Sequence, residues 1–309
     1  MTKTELLVTP TSFEDILPLA EAGADAFVIG EQRYGLRLAG EFNRNAVKNA
    51  IELAHSKGKK VYVAMNAIFH NEKIDELADY IRFVSDAKAD AVIFGDPAVL
   101  MAAREAAPDM KLHWSTETTG TNWYTCNYWG KKGAKRAVLA REVNMDAIVE
   151  IKEKAEVEIE VQVHGMSCMF QSKRSLLGHY FEYQGKVMEI ENRKQQKNMF
   201  LHDKERENKY PIFEDENGTH IMSPNDICII DELQEMLEAG VDSFKIDGIL
   251  KSPEYIIAVT KIYRKAIDLY FADPDLYEDK KDELLEAIEE IQPANRPLDT
   301  GFYFKETVY

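Results

Sequence analysis

The chain has 309 residues, 45% hydrophobic and 30% charged, with 54 Asp and Glu against 38 Lys and Arg for a formal charge of −16. That composition excludes the disordered, collagenous and disulfide-scaffold classes. The acidity argues against a nonspecific nucleic-acid coat, which needs at least a local basic patch.

Leu6-Leu7-Val8 opens the chain as a brief apolar β run, and Phe13 to Glu21 comes after it with a 3.6-residue helical period. Next is Ala22-Gly23-Ala24-Asp25-Ala26-Phe27-Val28-Ile29-Gly30: a helix end, a glycine suited to the left-handed cap, then a second apolar run. The same pattern recurs at residues 88–95 and 239–248, so the chain carries a short internal repeat. Between these copies lie helical periods over Ala46–His55 and Ile74–Ser85, and β runs over Val61–Met65, Lys111–Trp114, Ala137–Leu139 and Ile159–Val163. Asp226–Leu237 reads as a further helix. The β runs are apolar throughout, as parallel strands covered on both faces should be.

Eight such alternations predict an α/β fold, a TIM-like (β/α)8 barrel over residues 1–271; an open doubly wound sheet is the alternative, since periodicity does not distinguish closure. Residues 166–222 are polar and break the rhythm, which predicts a segment inserted after the seventh strand. Residues 272–309 read as an acidic helix, Asp279–Ile291, with a solvated face, and then a tail whose Pro293 and Pro297 forbid continuous helix.

No run of about 18 apolar residues occurs, so no membrane association is expected. The start, Met1-Thr2-Lys3-Thr4-Glu5, lacks the signal-peptide arrangement, and three cysteines without paired spacing indicate a reducing compartment. The expected location is the cytoplasm.

Sites in barrels sit at the C-terminal ends of the strands. The residues at the exits of the β runs are Thr9, Glu31, Asn66, Asp96, Thr116-Glu117, Arg141-Glu142, His164-Gly165 and Asp247. Singly these have structural explanations: Asp96 before Pro97 is a good N-cap, and Lys245 could pair with Asp247 or Arg141 with Glu142. Together they predict a polar pocket for an anionic or polar small molecule, with Arg141 able to fork onto a carboxylate. Asn66, Thr116, Glu117, Arg141, Lys245 and Asp247 are the expected substrate-binding set. His164, Glu142 and Cys168 are the expected catalytic residues.

His164-Gly165-Met166-Ser167-Cys168 admits three readings: a thiol nucleophile activated by His164, a metal ligand, or a buried small residue. No His-Glu-x-x-His, Gly-x-Ser-x-Gly, Walker or dinucleotide glycine pattern is present.

A set of ordered motifs runs nearly end to end. It includes Glu21-Ala22-Gly23-Ala24-Asp25-Ala26, residues 54–63, His113-Trp114-Ser115-Thr116-Glu117, residues 135–142, Val163-His164-Gly165 with Cys168, Ser223-Pro224-Asn225-Asp226, and Ser243-Phe244-Lys245-Ile246-Asp247-Gly248. On these motifs the chain resembles the collagenase-like peptidase family U32. The resemblance implies a barrel-like fold and two kinds of activity, peptide hydrolysis or the hydroxylation of RNA bases and quinone precursors. Hydroxylating members resemble one another in holding an iron–sulfur cluster on four cysteines. Here Cys168 matches the first ligand position and Cys228 the last. Ser175 stands at the second, and Lys194, Gln195 and Gln196 stand where the third is expected. The resemblance thus implies remnant ligand positions and no complete cluster on this chain alone.

A short, ligand-depleted form suggests a component of tRNA wobble-uridine hydroxylation, forming 5-hydroxyuridine with prephenate as the implied donor metabolite. Its implied partners are a cysteine-complete paralogue and, through that complex, tRNA. A collagenase-like peptidase and a noncatalytic subunit of the paralogue are the alternatives.

Overall fold

The computed structural model describes residues 3–186, 199–205 and 207–305. Eight strands form a closed parallel barrel: β1 (Glu5–Val8), β2 (Ala26–Ile29), β3 (Lys60–Met65), β4 (Ala91–Phe94), β5 (Leu112–Trp114), β6 (Ala134–Val138), the first part of β7 (Glu158–Ser172), and β11 (Ser243–Ile246). Neighbours in this order pair in parallel, and β11 closes the ring by pairing with both β7 and β1. Between the barrel strands run α1 (Ile16–Glu21), α2 (Arg44–Ser56), α3 (Asn71–Asp86), α4 (Pro97–Ala106), α5 (Trp123–Lys131) and α6 (Met145–Lys154). Local sequence sets the caps: Asn43, Asp96, Asn122 and Asn144 each accept a backbone N–H from the first turn of α2, α4, α5 and α6.

Side chains alternate across the barrel wall. Leu6, Val8, Phe27, Val61, Val63, Phe94, Phe244 and Ile246 point outward and pack against the helices in the main core. Leu7, Ala26, Val28, Tyr62, Ala64, Ala91 and Ile93 fill the barrel interior with Leu38. At the N-terminal end the interior is polar: Arg136 bonds Glu5 at 2.7 Å, Glu158 at 2.8 Å and Glu160 at 3.2 Å, and Tyr62 donates to Glu5 at 2.7 Å. This plug closes the end of the barrel associated with stability.

The seventh strand does not end at His164. β7 continues to Ser172 and pairs antiparallel with β10 (Gly218–Cys228), which runs back toward the barrel. Gly165 makes the transition possible. It sits at φ 103°, and a Cβ there would lie 2.4 Å from the Asp247 carbonyl oxygen, so the chain bends without terminating. The ribbon is extended by α7 (Leu176–Tyr183), β8 (Phe200–Asp203) and β9 (Asn208–Asp215), the last pairing with both β8 and β10.

The helix expected over 226–237 is also corrected. Asp226–Cys228 complete β10, and only Gln234–Glu238 (α8) is helical. Asp226 is fully buried between Lys251 and Arg296, and Ile229, Ile230 and Leu233 are fully buried in the core, so tertiary contacts override the helical period. After α9 (Pro253–Ala272) and α10 (Pro274–Glu278), the acidic helix α11 (Lys281–Glu289) buries Leu284 and Ile288 and presents its charges outward. The tail then adds β12 (Leu298–Asp299) beside β10. No helix among the described residues is long and apolar enough to cross a membrane.

Candidate functional site

The C-terminal mouth of the barrel holds a cavity of about 40 Å³, room for a few ordered waters. Val28, Ala64, Ile93, Val138 and Glu160 form its floor; Thr9, Asn66, Ser115, Glu117, Arg141, Lys245 and Asp247 form its wall, with Arg37 across it and Met166 and Met222 from the ribbon above. The closed barrel thus brings Asn66, Glu117, Arg141 and Asp247 together from the strand exits, and Lys245 joins them from within β11.

Each of these is held. Lys245 and Asp247, two residues apart on the inward face, pair at 3.0 Å. Asp247 also accepts the Ile249 N–H at 3.1 Å. Burial alone would raise this carboxyl, but Lys245, the Ile249 N–H and Arg141 hold it below the usual carboxylate range. Asn66 accepts the Leu36 N–H at 3.0 Å and so anchors the loop after β2 instead of capping a helix. Arg141 reaches Glu117 at 3.4 Å, Gln162 at 3.2 Å and the Cys168 carbonyl at 3.5 Å; its expected alternative, Glu142, is exposed and lies outside the cavity wall. Thr116 bonds Thr119 within its own loop and does not line the cavity.

Arg37 is the residue the strand-exit reading misses. It lies in the loop between β2 and α2, 14 residues from Gly30 to Asn43, longer than most βα loops, and that length is the sequence signal. Gly40 clamps the loop: a Cβ there would lie 2.1 Å from the Thr11 carbonyl oxygen. The Arg37 guanidinium is almost wholly buried, pairs with Glu117 and donates to Gln171 at 2.8 Å, and its Nε has no partner. Burial lowers its pKa to about 10, which leaves it charged at neutral pH. Glu160, on the floor, is bound by Arg136. That leaves Arg37, Arg141 and Lys245 facing Glu117 and Asp247, an excess of one cation that suits a small anion.

His164 takes a different position from the one expected. It is fully buried on the outer side of β7, where Nε2 meets the Tyr255 hydroxyl at 2.7 Å and the ring packs against Tyr263. Burial drives its pKa down to about 3, so it is neutral at physiological pH. Its Nδ1 has no hydrogen-bond partner and the Cys168 thiol instead meets the Phe170 carbonyl, so no thiol–imidazole dyad forms. The difference is one of register: His164 comes after the outward Val161 and Val163, past the bulge where β11 shifts from Gln162 to His164.

The residues also do not fit an iron–sulfur cluster. Cys168 stands opposite Met222 on the ribbon, whereas Cys228 stands opposite His164, buried beside the Tyr263 hydroxyl at 3.8 Å. Burial raises the Cys228 thiol to about 11, opposite to what a ligating thiolate needs. Cys126 is buried in α5. Among the described residues no group of three or more His, Cys, Asp or Glu could hold a metal; the expected third ligand position, residues 194–196, lies outside them.

Residues 11–308 match the family described as Peptidase family U32. The chain is 73% identical over 309 residues to the tRNA hydroxylation protein P2 of Bacillus subtilis, covering all of both chains. It is 35% identical over 302 residues to the tRNA hydroxylation protein P1 of the same organism, covering 97% of this chain and 71% of that one. A collagenase of Porphyromonas gingivalis is 28% identical over 283 residues, covering 86% and 66%. Among solved structures, a U32 peptidase aligns at TM-score 0.50 and 14% identity, covering 79% of this chain and 92% of that one. A monomeric dihydrodipicolinate synthase variant aligns at TM-score 0.52 and 9% identity, covering 93% and 80%. These two likenesses carry the barrel fold alone.

Proposed function

The chain belongs to peptidase family U32, and from that premise we propose that it is a component of tRNA hydroxylation. The observation that carries this reading is the 73% identity, end to end, to a protein named for tRNA hydroxylation. We propose further that the modified base is the wobble uridine, converted to 5-hydroxyuridine in the cytoplasm, with prephenate as donor metabolite.

In this reading the barrel mouth is the chemical site. Arg37 and Arg141 present guanidinium N–H groups to a carboxylate, and the Lys245–Asp247 pair completes the lining. The partner is the longer paralogue: Bacillus subtilis has both a P1 and a P2 protein, and the former extends beyond the region this chain matches. A peptidase role finds no support in the thiol, because Cys168 lacks an imidazole partner.

The test is genetic. A strain lacking this chain and its longer paralogue should have tRNA without hydroxylated uridine, and a plasmid copy of this chain together with the paralogue should restore it. Blocking prephenate synthesis should abolish it again. Hydroxylated tRNA persisting in the double deletion would refute the reading.

A further inference from the structure

We propose that α7 and the turn before it form an RNA-contact face that guides a single-stranded RNA loop to the barrel mouth; this rests on the tRNA hydroxylation reading. Three observations carry it. First, α7 turns one side to solvent: Leu176, Tyr180 and Tyr183, at positions i, i+4 and i+7, are 41%, 57% and 88% exposed, while Phe181 is half-buried on the other side. Open aromatic rings offer faces on which bases can stack.

Second, the charge here is opposite in sign to the net charge of the chain. Residues 173–186 carry Lys173, Arg174 and Lys186 against the single carboxylate Glu182, in a chain whose net charge is −16. All four are exposed. Cations beside open rings are the combination that binds single-stranded nucleic acid, phosphates on the former and bases on the latter.

Third, the face adjoins the pocket. Gln171, five residues before Leu176, bonds Arg37 at 2.8 Å, and the Cys168 carbonyl meets Arg141 at 3.5 Å. The start of α7 is fixed to the ribbon, with the Leu176 N–H on Thr219 at 2.9 Å and the Gly178 N–H on Glu214 at 3.0 Å. A base displaced from a stacked loop therefore has a short path from the rings to the mouth.

The experiment measures binding of a fluorescent anticodon stem-loop RNA by the purified full chain, and by its complex with the longer paralogue. The Y180A/Y183A double variant should weaken binding roughly tenfold or more. The K173A/R174A variant should weaken it and lower the salt slope by about one to two. Both alter exposed side chains, so an unchanged melting temperature should accompany the loss. Unchanged RNA affinity in both variants would overturn the proposal, as would loss of paralogue binding with RNA affinity intact, which would make the face a protein interface. Nucleoside analysis keeps this separate from the functional reading: if wild-type protein restores tRNA hydroxylation while the variants bind RNA normally, only the RNA-contact face is refuted.

Discussion

Arg37, buried, and Glu117, half-buried, form an ion pair across the barrel mouth, and each holds its backbone in the left-handed region, at φ 48° and 65°. Two non-glycine residues in that conformation are a local cost that the surrounding loops must sustain, as is typical of binding sites. Glu117 also reaches Arg141, so one carboxylate serves two guanidiniums. The Arg37→Ala variant should therefore lose tRNA hydroxylation roughly tenfold or more, about 1.4 kcal/mol of barrier. Its stability should fall by only about 1–2 kcal/mol, because Glu117 keeps Arg141. Full activity in this variant, measured by nucleoside mass spectrometry at matched protein levels, would remove Arg37 from the site.

The Lys245–Asp247 pair behaves differently. Asp247 is buried and depends on Lys245 for its charge, so Lys245→Ala leaves a carboxylate without its counter-ion. The expected loss is about 3 kcal/mol by denaturant unfolding. A loss below about 1 kcal/mol would mean that water or Arg141 replaces Lys245 at no cost.

His164 predicts a pH dependence of stability. Its folded pKa, about 3, lies below the ordinary value of 6.5, so the unfolded chain binds the proton more tightly between those values. The stabilisation is complete above pH 6.5 and is lost progressively as pH falls toward 3. Glu5 adds a second window: lowered to about 2 by Arg136 and Lys60 against the opposing effect of burial, it stabilises above pH 4.5 and loses that contribution as pH falls through 2. The His164→Gln variant should show a smaller drop in melting temperature from about pH 7 to about pH 5 than wild type. An equal drop would assign the dependence to other groups.

Protein purified without oxygen should contain no stoichiometric iron. The chain has three cysteines, one fewer than a four-thiolate cluster requires, and Cys168 and Cys228 face different surroundings. About four irons per chain by elemental analysis would contradict this.

The barrel is legible in the sequence because each strand carries its own apolar run and each exit its own polar residue, so Arg141, Glu117 and Asp247 can be placed at one end from spacing alone, and Lys245 beside Asp247 from strand alternation. Arg37 is not, since nothing local distinguishes it from Arg33 four residues earlier; only the fold carries it to Glu117, 80 residues away. The place of His164 is hidden because a strand that ends and a strand that bends at Gly165 share the same residues. The long-range pairing with β10 decides between them, and that pairing also claims Asp226–Cys228 from the expected helix.

The most direct measurement compares tRNA nucleosides from a strain lacking this chain and its longer paralogue, complemented with the paralogue and either wild-type chain or Arg141→Ala at equal protein levels. Wild type should restore the hydroxylated uridine, and Arg141→Ala should leave it near the uncomplemented level while its melting temperature stays close to wild type. No restoration by wild type, or full restoration by Arg141→Ala, would contradict the assignment of tRNA hydroxylation to this barrel mouth.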